Sequence, residues 1–323
     1  MAVNFADEAP VIIKEYLFYM QTIKGRSNKT VDEYYLDLRT FFRFLKLKRK
    51  LITDTEFEEI KIDDVDIDLI KTITLMDAYE FLNYLSRDRQ NIASSRARKC
   101  SSLKQFFDFL TVKKHYLDTD PMRELEIPRN KKSLPKYLTL EQSLELLNAV
   151  DGKFKERDYC ILTIFLNCGL RLAELVSLNM SSIRSDNTMV VTGKGNKERV
   201  VYLNEACIAA LNSWRSVRPN DGLKDRDALF ISGHHNRISR ESVQKMVQKY
   251  LRKIGLEAQG YSCHKLRHTA ATLMYQHGEV DIRVLKDVLG HENLGTTQIY
   301  THISSEQLKN ASDKNPLANV KIK

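Results

Sequence analysis

Cysteine is scarce and poorly arranged for chemistry. The five in 323 residues, Cys100, Cys160, Cys168, Cys207 and Cys263, are odd in number, scattered and never spaced as Cys-x-x-Cys. That argues against a disulfide framework or a zinc site, and favours burial as small hydrophobes. Long apolar runs are also missing, none approaching the roughly 18 residues that a membrane-crossing helix needs. The opening residues, Asp7 and Glu8 among them, lack the basic and then apolar plan of a secretory signal. A cytoplasmic chain with no membrane partner is the expectation. Neither an internal repeat nor a low-complexity tract is present.

At 323 residues the chain exceeds what one hydrophobic core usually serves, so two domains are expected. With 42% hydrophobic and 29% charged residues it reads as globular. The net charge of +9 matters most for where it sits: between Asn91 and Lys136, eleven Lys or Arg stand against five Asp or Glu. A polyanionic partner follows from that excess. An isolated basic run is more often a solvated helix face, but this one adjoins a phosphate-binding arrangement.

The first half reads as short amphipathic helices. Pro10 to Ile23 places Ile12, Tyr16, Tyr19 and Ile23 on one face, and Thr30 to Leu47, capped by Ser27, repeats apolar residues through Tyr34, Leu38, Phe41, Phe42 and Leu45. Leu75 to Leu85 and Ser94 to Val112 complete an all-helical domain, 1–116. Within it, Leu51 to Asp68 carries eight carboxylates and only Lys61 to offset them, and reads as a solvated connector lying away from any polyanion. Residues 117–137, with Pro121, Pro128 and Pro135 among Arg129, Lys131 and Lys132, read as a basic interdomain linker able to track a DNA backbone.

The second domain, 138–323, opens on a capping box, Thr139 with Gln142. A buried helix over Asp158 to Asn167 is stopped by Gly169. Met189 to Thr192 and Arg199 to Leu203 form a β-hairpin around Gly193-Lys194-Gly195-Asn196-Lys197, and the rest is helical apart from a short segment near Leu229 to Ile231. The fold class is therefore mainly α: an all-helical domain followed by a mixed α/β domain, mostly helical with a small hairpin sheet.

Six side chains carry the chemistry: Arg171, Lys194, His264, Arg267, His291 and Tyr300. They supply cations and one phenol, which is what cutting a phosphodiester without a metal requires. A phenol of pKa about 10 must lose its proton, and the transition state gathers negative charge on phosphoryl oxygens. Arginine forks suit those oxygens. Arg171 follows a glycine at a helix start, and Glu174 three residues on could hold it in place. His264 and Arg267 share one face at a helix opening, where the histidine can exchange a proton and the arginine bind phosphate. Lys194, at the hairpin tip, could protonate a leaving 5′ oxygen, while Lys197 and Arg199 read as backbone contacts. His268 points elsewhere on the wheel and reads as structural. His291 follows Leu289-Gly290, and Tyr300 comes nine residues later. Each alone reads as a cap or a packing residue; their conjunction carries the inference.

These motifs resemble the tyrosine recombinases, or phage-type integrases, and most closely the bacterial Xer recombinases. The resemblance lies in Gly-Leu-Arg-Leu-Ala-Glu-Leu at 169–175, Thr-Gly-Lys-Gly-Asn-Lys-Glu-Arg at 192–199, His-Lys-Leu-Arg-His at 264–268, Leu-Gly-His at 289–291 and Thr-Thr-Gln-Ile-Tyr-Thr-His at 296–302. More loosely, Ser27 to Val31 with Tyr34, Asp37, Leu38 and Phe41 is similar to the family's core-DNA-binding helices. Residues 51–68 form a longer connector than the compact Xer proteins carry, and no arm-binding domain precedes the first helix, which favours enzymes acting on short sites.

The resemblance implies a SAM-like core-DNA-binding domain and a catalytic domain that clamp duplex DNA bearing a short inverted repeat. Tyr300 would form a 3′-phosphotyrosyl link, freeing a 5′ hydroxyl, with no cofactor. Arg171, Arg267 and His291 would hold the phosphoryl group, His264 would handle the tyrosine proton, and Lys194 would act as general acid. Four protomers, of one kind or two, would exchange strands through a Holliday junction, with a DNA translocase or accessory protein as a further partner. In the family a C-terminal segment docks into a neighbouring protomer, and Ser304 to Ala311 has the cap and length for it. Chromosome or plasmid dimer resolution, in chromosome segregation at cell division, is the role implied. The alternatives are an integrase of a mobile element, a type IB topoisomerase, and a DNA-binding regulator that has lost catalysis.

Overall fold

The computed structural model describes residues 5–52, 55–128, 136–193, 196–278 and 280–290. The chain divides into two compact units, Met1–Lys132 and Ser133–Lys323. Each is built mainly from helices around its own apolar core.

In the first unit, the long Asn28–Lys48 helix starts where Ser27 Oγ accepts the Thr30 N–H at 3.3 Å. Leu38, Phe41, Phe42 and Leu45 are buried as the periodicity predicts, whereas Tyr34 is only partly buried and its neighbour Tyr35 takes the fully buried position. Two helices end in a wider turn, Val11–Phe18 running into Tyr19–Ile23 and Ala93–Asp108 into Phe109–Lys113. These π turns explain one misplaced residue. Ile23, expected on the packed face, is 72% exposed, because i→i+5 bonding rotates the chain past the α-helical register.

The acidic segment departs from the reading of a solvated connector. Ile60, Ile62 and Val65 are buried between its carboxylates. Arg43 donates to the Ile60 carbonyl and to Glu58, both at 2.9 Å, Lys46 donates to Asp64 at 2.6 Å, and Arg89 holds the other Glu58 oxygen at 2.7 Å. Partly exposed ion pairs contribute up to about 1 kcal/mol each, whereas a fully buried branched side chain contributes roughly 1.5–3 kcal/mol. The three apolar residues therefore anchor the segment, and the ion pairs fix its register.

Part of the basic run also faces inward. Asp37, 1% exposed, accepts from Lys99 Nζ at 2.9 Å, Ser102 Oγ at 2.7 Å and Arg98 Nη1 at 2.5 Å, which ties the Asn28–Lys48 helix to the Ala93–Asp108 helix. Lys104 Nζ donates to the carbonyls of Met122, Arg123 and Leu125, and Met122 and Leu125 are buried. Residues 117–128 thus pack on the first unit, while Arg129, Lys131 and Lys132 lie outside the described residues.

The second unit is centred on the Lys155–Cys168 helix, buried on nearly all sides by the Glu205–Val217 and Cys263–His277 helices. From Cys160 to Leu166 it is apolar on nearly every face, as a core helix is. The Thr139–Gln142 capping box is present. Gly169, in the left-handed region at φ 58°, stops the central helix. The hairpin pairs Thr188–Thr192 with Glu198–Tyr202 antiparallel, in a register running from Thr188 opposite Tyr202 to Thr192 opposite Glu198. All five cysteines are free thiols and buried. No helix among the described residues is long and apolar enough to cross a membrane.

Candidate active site

Gly169 turns the chain sharply between the central helix and Leu170-Arg171. A Cβ there would come within 2.8 Å of Leu289 Cδ2, so the position needs glycine both for its φ and for the close approach of the Ile282–Leu289 helix. Arg171 then sits at the N-cap of the Leu172–Ser177 helix, its N–H donating to Glu174 Oε2 at 2.9 Å and its Nη1 to Glu174 Oε1 at 2.7 Å. The sequence anticipated that pairing.

It did not anticipate how many partners Glu174 has. Arg199 donates through Nη1 to Oε1 at 3.0 Å and through Nη2 to Oε2 at 2.9 Å, and Arg267 Nη1 lies 3.9 Å from Oε2. Glu174 is 3% exposed. Burial alone would raise its pKa, but the hydrogen bonds and charge of Arg199, with the N–H and guanidinium of Arg171, bring the carboxyl down to about 2. One carboxylate thus faces three guanidinium groups, leaving a surplus of positive charge.

The same arginines converge on the C-terminal end of the Ile282–Leu289 helix. Arg199 Nε donates to the Val288 carbonyl at 3.3 Å, Arg267 Nη2 to Leu289 at 2.7 Å and Arg171 Nη2 to Gly290 at 3.2 Å. These carbonyls belong to the last turn of the helix and the cap that follows, where a helix leaves acceptors unpaired and carries partial negative charge. Gly290, at φ 64°, ends that helix, and a Cβ on it would meet Arg199 Cδ at 3.0 Å. Arg267, 2% exposed, also donates from Nη1 to the Gly169 carbonyl at 2.7 Å. Arg171 keeps 41% of its side chain exposed, against 15% for Arg199 and 2% for Arg267, and is the most accessible of the three guanidinium groups.

His264 reaches the surface near the opening of the Cys263–His277 helix. Partial burial, followed by the positive charges of Arg267, Lys265 and Arg171, holds its pKa below the ordinary histidine range, which favours the neutral base. His268 does not point elsewhere. Its Nε2 lies 3.1 Å from His264 Nε2, because residues four apart share a helix face.

The structure therefore brings Arg171, His264 and Arg267 together, while Lys194, His291 and Tyr300 lie outside the described residues. Arg199, expected to contact a DNA backbone, is turned inward onto Glu174. Strand alternation carried that signal, since Arg199 shares a face with the buried Val201 between the exposed Glu198, Val200 and Tyr202.

Residues 136–307 match the phage integrase family, and residues 13–114 match the phage integrase N-terminal SAM-like domain. The chain is similar to the tyrosine recombinase XerC of Caldanaerobacter subterraneus subsp. tengcongensis, 51% identical over 310 residues that cover 96% of this chain and 88% of the relative. XerC of Natranaerobius thermophilus is 33% identical over 311 residues, 93% of this chain and 97% of its own. Among solved structures, the XerH site-specific recombinase bound to its difH substrate has a TM-score of 0.70 at 22% identity, over 97% of this chain and 85% of that one. A lambda integrase tetramer bound to a Holliday junction has a TM-score of 0.62 at 15% identity, over 87% and 76%. At those identities the two structures show a shared fold.

Proposed function

Because this chain belongs to the phage integrase family and is a site-specific tyrosine recombinase of the Xer type, we propose that its arginine cluster binds the scissile phosphate of a duplex DNA site. The observation that carries this reading is the Glu174 cluster: three arginines braced on one buried carboxylate, with Arg171 open to solvent. Preorganised cations of this kind lower the barrier to forming a charged phosphoryl transition state.

In the proposed reaction Tyr300 Oη forms a bond to phosphorus while the bond from phosphorus to the 5′ oxygen breaks, leaving a 3′-phosphotyrosyl link. His264 takes the phenolic proton, and Lys194 gives one to the departing 5′ oxygen. Arg171, Arg267 and His291 hold the nonbridging oxygens. The link keeps the energy of the phosphodiester, so rejoining to a different 5′ hydroxyl exchanges strands. We further propose that 1–116 binds core DNA and 138–323 carries catalysis, with 117–137 joining them, its first part packed on the first unit. The DNA would hold a short inverted repeat bound by four protomers, of one kind or two, passing through a Holliday junction in the cytoplasm. Similarity to XerC over nearly the whole chain favours chromosome or plasmid dimer resolution over integration of a mobile element.

A nicked suicide duplex carrying the chain's own site tests this. The expected result is a covalent protein–DNA adduct that disappears in Tyr300→Phe while DNA binding persists. An adduct that survives Tyr300→Phe would show another nucleophile; binding without any adduct would favour a regulator.

A further inference from the structure

His264 and His268 stand one turn apart on the Cys263–His277 helix and meet edge to face, with ring centroids 4.5 Å apart and planes at 77°. Their Nε2 atoms are 3.1 Å apart. Two ring nitrogens at that distance share one proton: one donates and the other presents its lone pair. Among the described residues this is the only side-chain hydrogen bond His264 makes. Which nitrogen of His264 carries hydrogen is therefore coupled to the tautomer of His268, which is 8% exposed.

We infer that His268 is a positioning residue for His264: its Nε2 accepts the Nε2–H of His264 and keeps the lone pair of His264 on Nδ1. This rests on the role proposed above for His264. As the Tyr300 oxygen bonds to phosphorus, its O–H bond breaks and the proton forms an N–H at His264 Nδ1. The Nε2–H stays where it was, donated to His268, so the new imidazolium keeps an acceptor on its far side. The opposite arrangement, with His268 donating, would place hydrogen on Nδ1 and leave no lone pair for the phenol.

The protonated state favours the first arrangement. Burial, then the charges of Arg267, Lys265 and Arg171, disfavour the His264 cation. A base in that setting gains most from an acceptor that stabilises its protonated form, and His268 is placed to provide one.

Ring-nitrogen NMR of the full chain with 15N-labelled histidine reads this directly. His264 is expected as the neutral Nε2–H tautomer near neutral pH. In His268→Phe it becomes a mixture of tautomers with a lower pKa, and His268→Gln, whose Oε1 can accept in the same direction, restores both. Adduct formation on the nicked duplex should slow by about tenfold or more in His268→Phe and largely recover in His268→Gln. Hydrogen on Nδ1 of His264 in the unmodified chain overturns the inference, even if His268→Phe folds poorly, and so does a tautomer indifferent to both substitutions. Failure of the unmodified chain to form a Tyr300-dependent adduct would instead overturn the functional reading, leaving the NMR result to judge the histidine pair.

Discussion

Arg199 and Glu174 form a two-armed pair, Nη1 to Oε1 at 3.0 Å and Nη2 to Oε2 at 2.9 Å, joining a strand residue to a helix residue 25 positions earlier. The pair stands behind the site. Arg199 presents no free fork to DNA, yet it touches the carboxylate that holds Arg171 and the helix end that leads to His291.

Arg199→Ala should therefore impair chemistry more than binding. A displacement of catalytic groups by about 1 Å costs on the order of 100-fold in rate, and single-turnover adduct formation is expected to fall by that amount while gel-shift affinity changes little. Arg199→Lys, which keeps charge but loses the fork, should recover only part of the rate. A matching loss of affinity and rate would assign Arg199 to DNA contact instead.

The depressed pKa of Glu174 gives a defined acid response. Its folded-state value of about 2 lies below the ordinary 4.5, so the unfolded chain binds the proton more readily. The stability that this carboxylate contributes is fully present above about 4.5 and is lost as pH falls through about 2. Glu174→Gln should flatten urea stability across that window. At neutral pH it should also cost about 3 kcal/mol, because the buried guanidinium groups lose their counter-ion.

Local features of the site were legible in the sequence; distant pairings were not. Ser27, Thr139 and Gly169 announce helix ends because capping needs only three or four neighbouring residues. Arg171 with Glu174, and His264 with Arg267, were visible for the same reason. Asp37 with Lys99, Lys46 with Asp64 and Arg199 with Glu174 join residues separated by 62, 18 and 25 positions, and such pairs depend on how whole helices and strands pack. Counting charges along the chain therefore overstated the outward-facing basic surface. His268 was within reach of local reasoning, since its spacing of four from His264 places both on one face.

The glycines offer a test of packing that replaces no charged side chain. Gly169→Ala combines left-handed strain with a 2.8 Å approach to Leu289, whereas Gly255 and Gly260, at φ 71° and 74°, have nothing within 4 Å of an added Cβ. The strain alone costs roughly 1–2 kcal/mol. Gly255→Ala and Gly260→Ala should show that loss by urea midpoint, and Gly169→Ala a clearly larger one. Equal losses at all three positions would mean that the helix carrying Leu289 shifts easily.

Salt dependence separates outward charges from inward ones. Each phosphate contact releases counterions, and losing one contact reduces the slope of log affinity against log salt by about 0.9. Arg171, with 41% of its side chain exposed, should show that reduction on substitution by alanine. Lys99, whose ammonium donates to the buried Asp37 at 2.9 Å, should not. Lys99→Met is expected to lower the stability of the first unit, by leaving a buried carboxylate with one partner fewer, while the salt slope of DNA binding stays unchanged. A slope that falls equally in both variants would mean that Lys99 leaves Asp37 for a phosphate when DNA arrives, and that the buried cluster opens on binding.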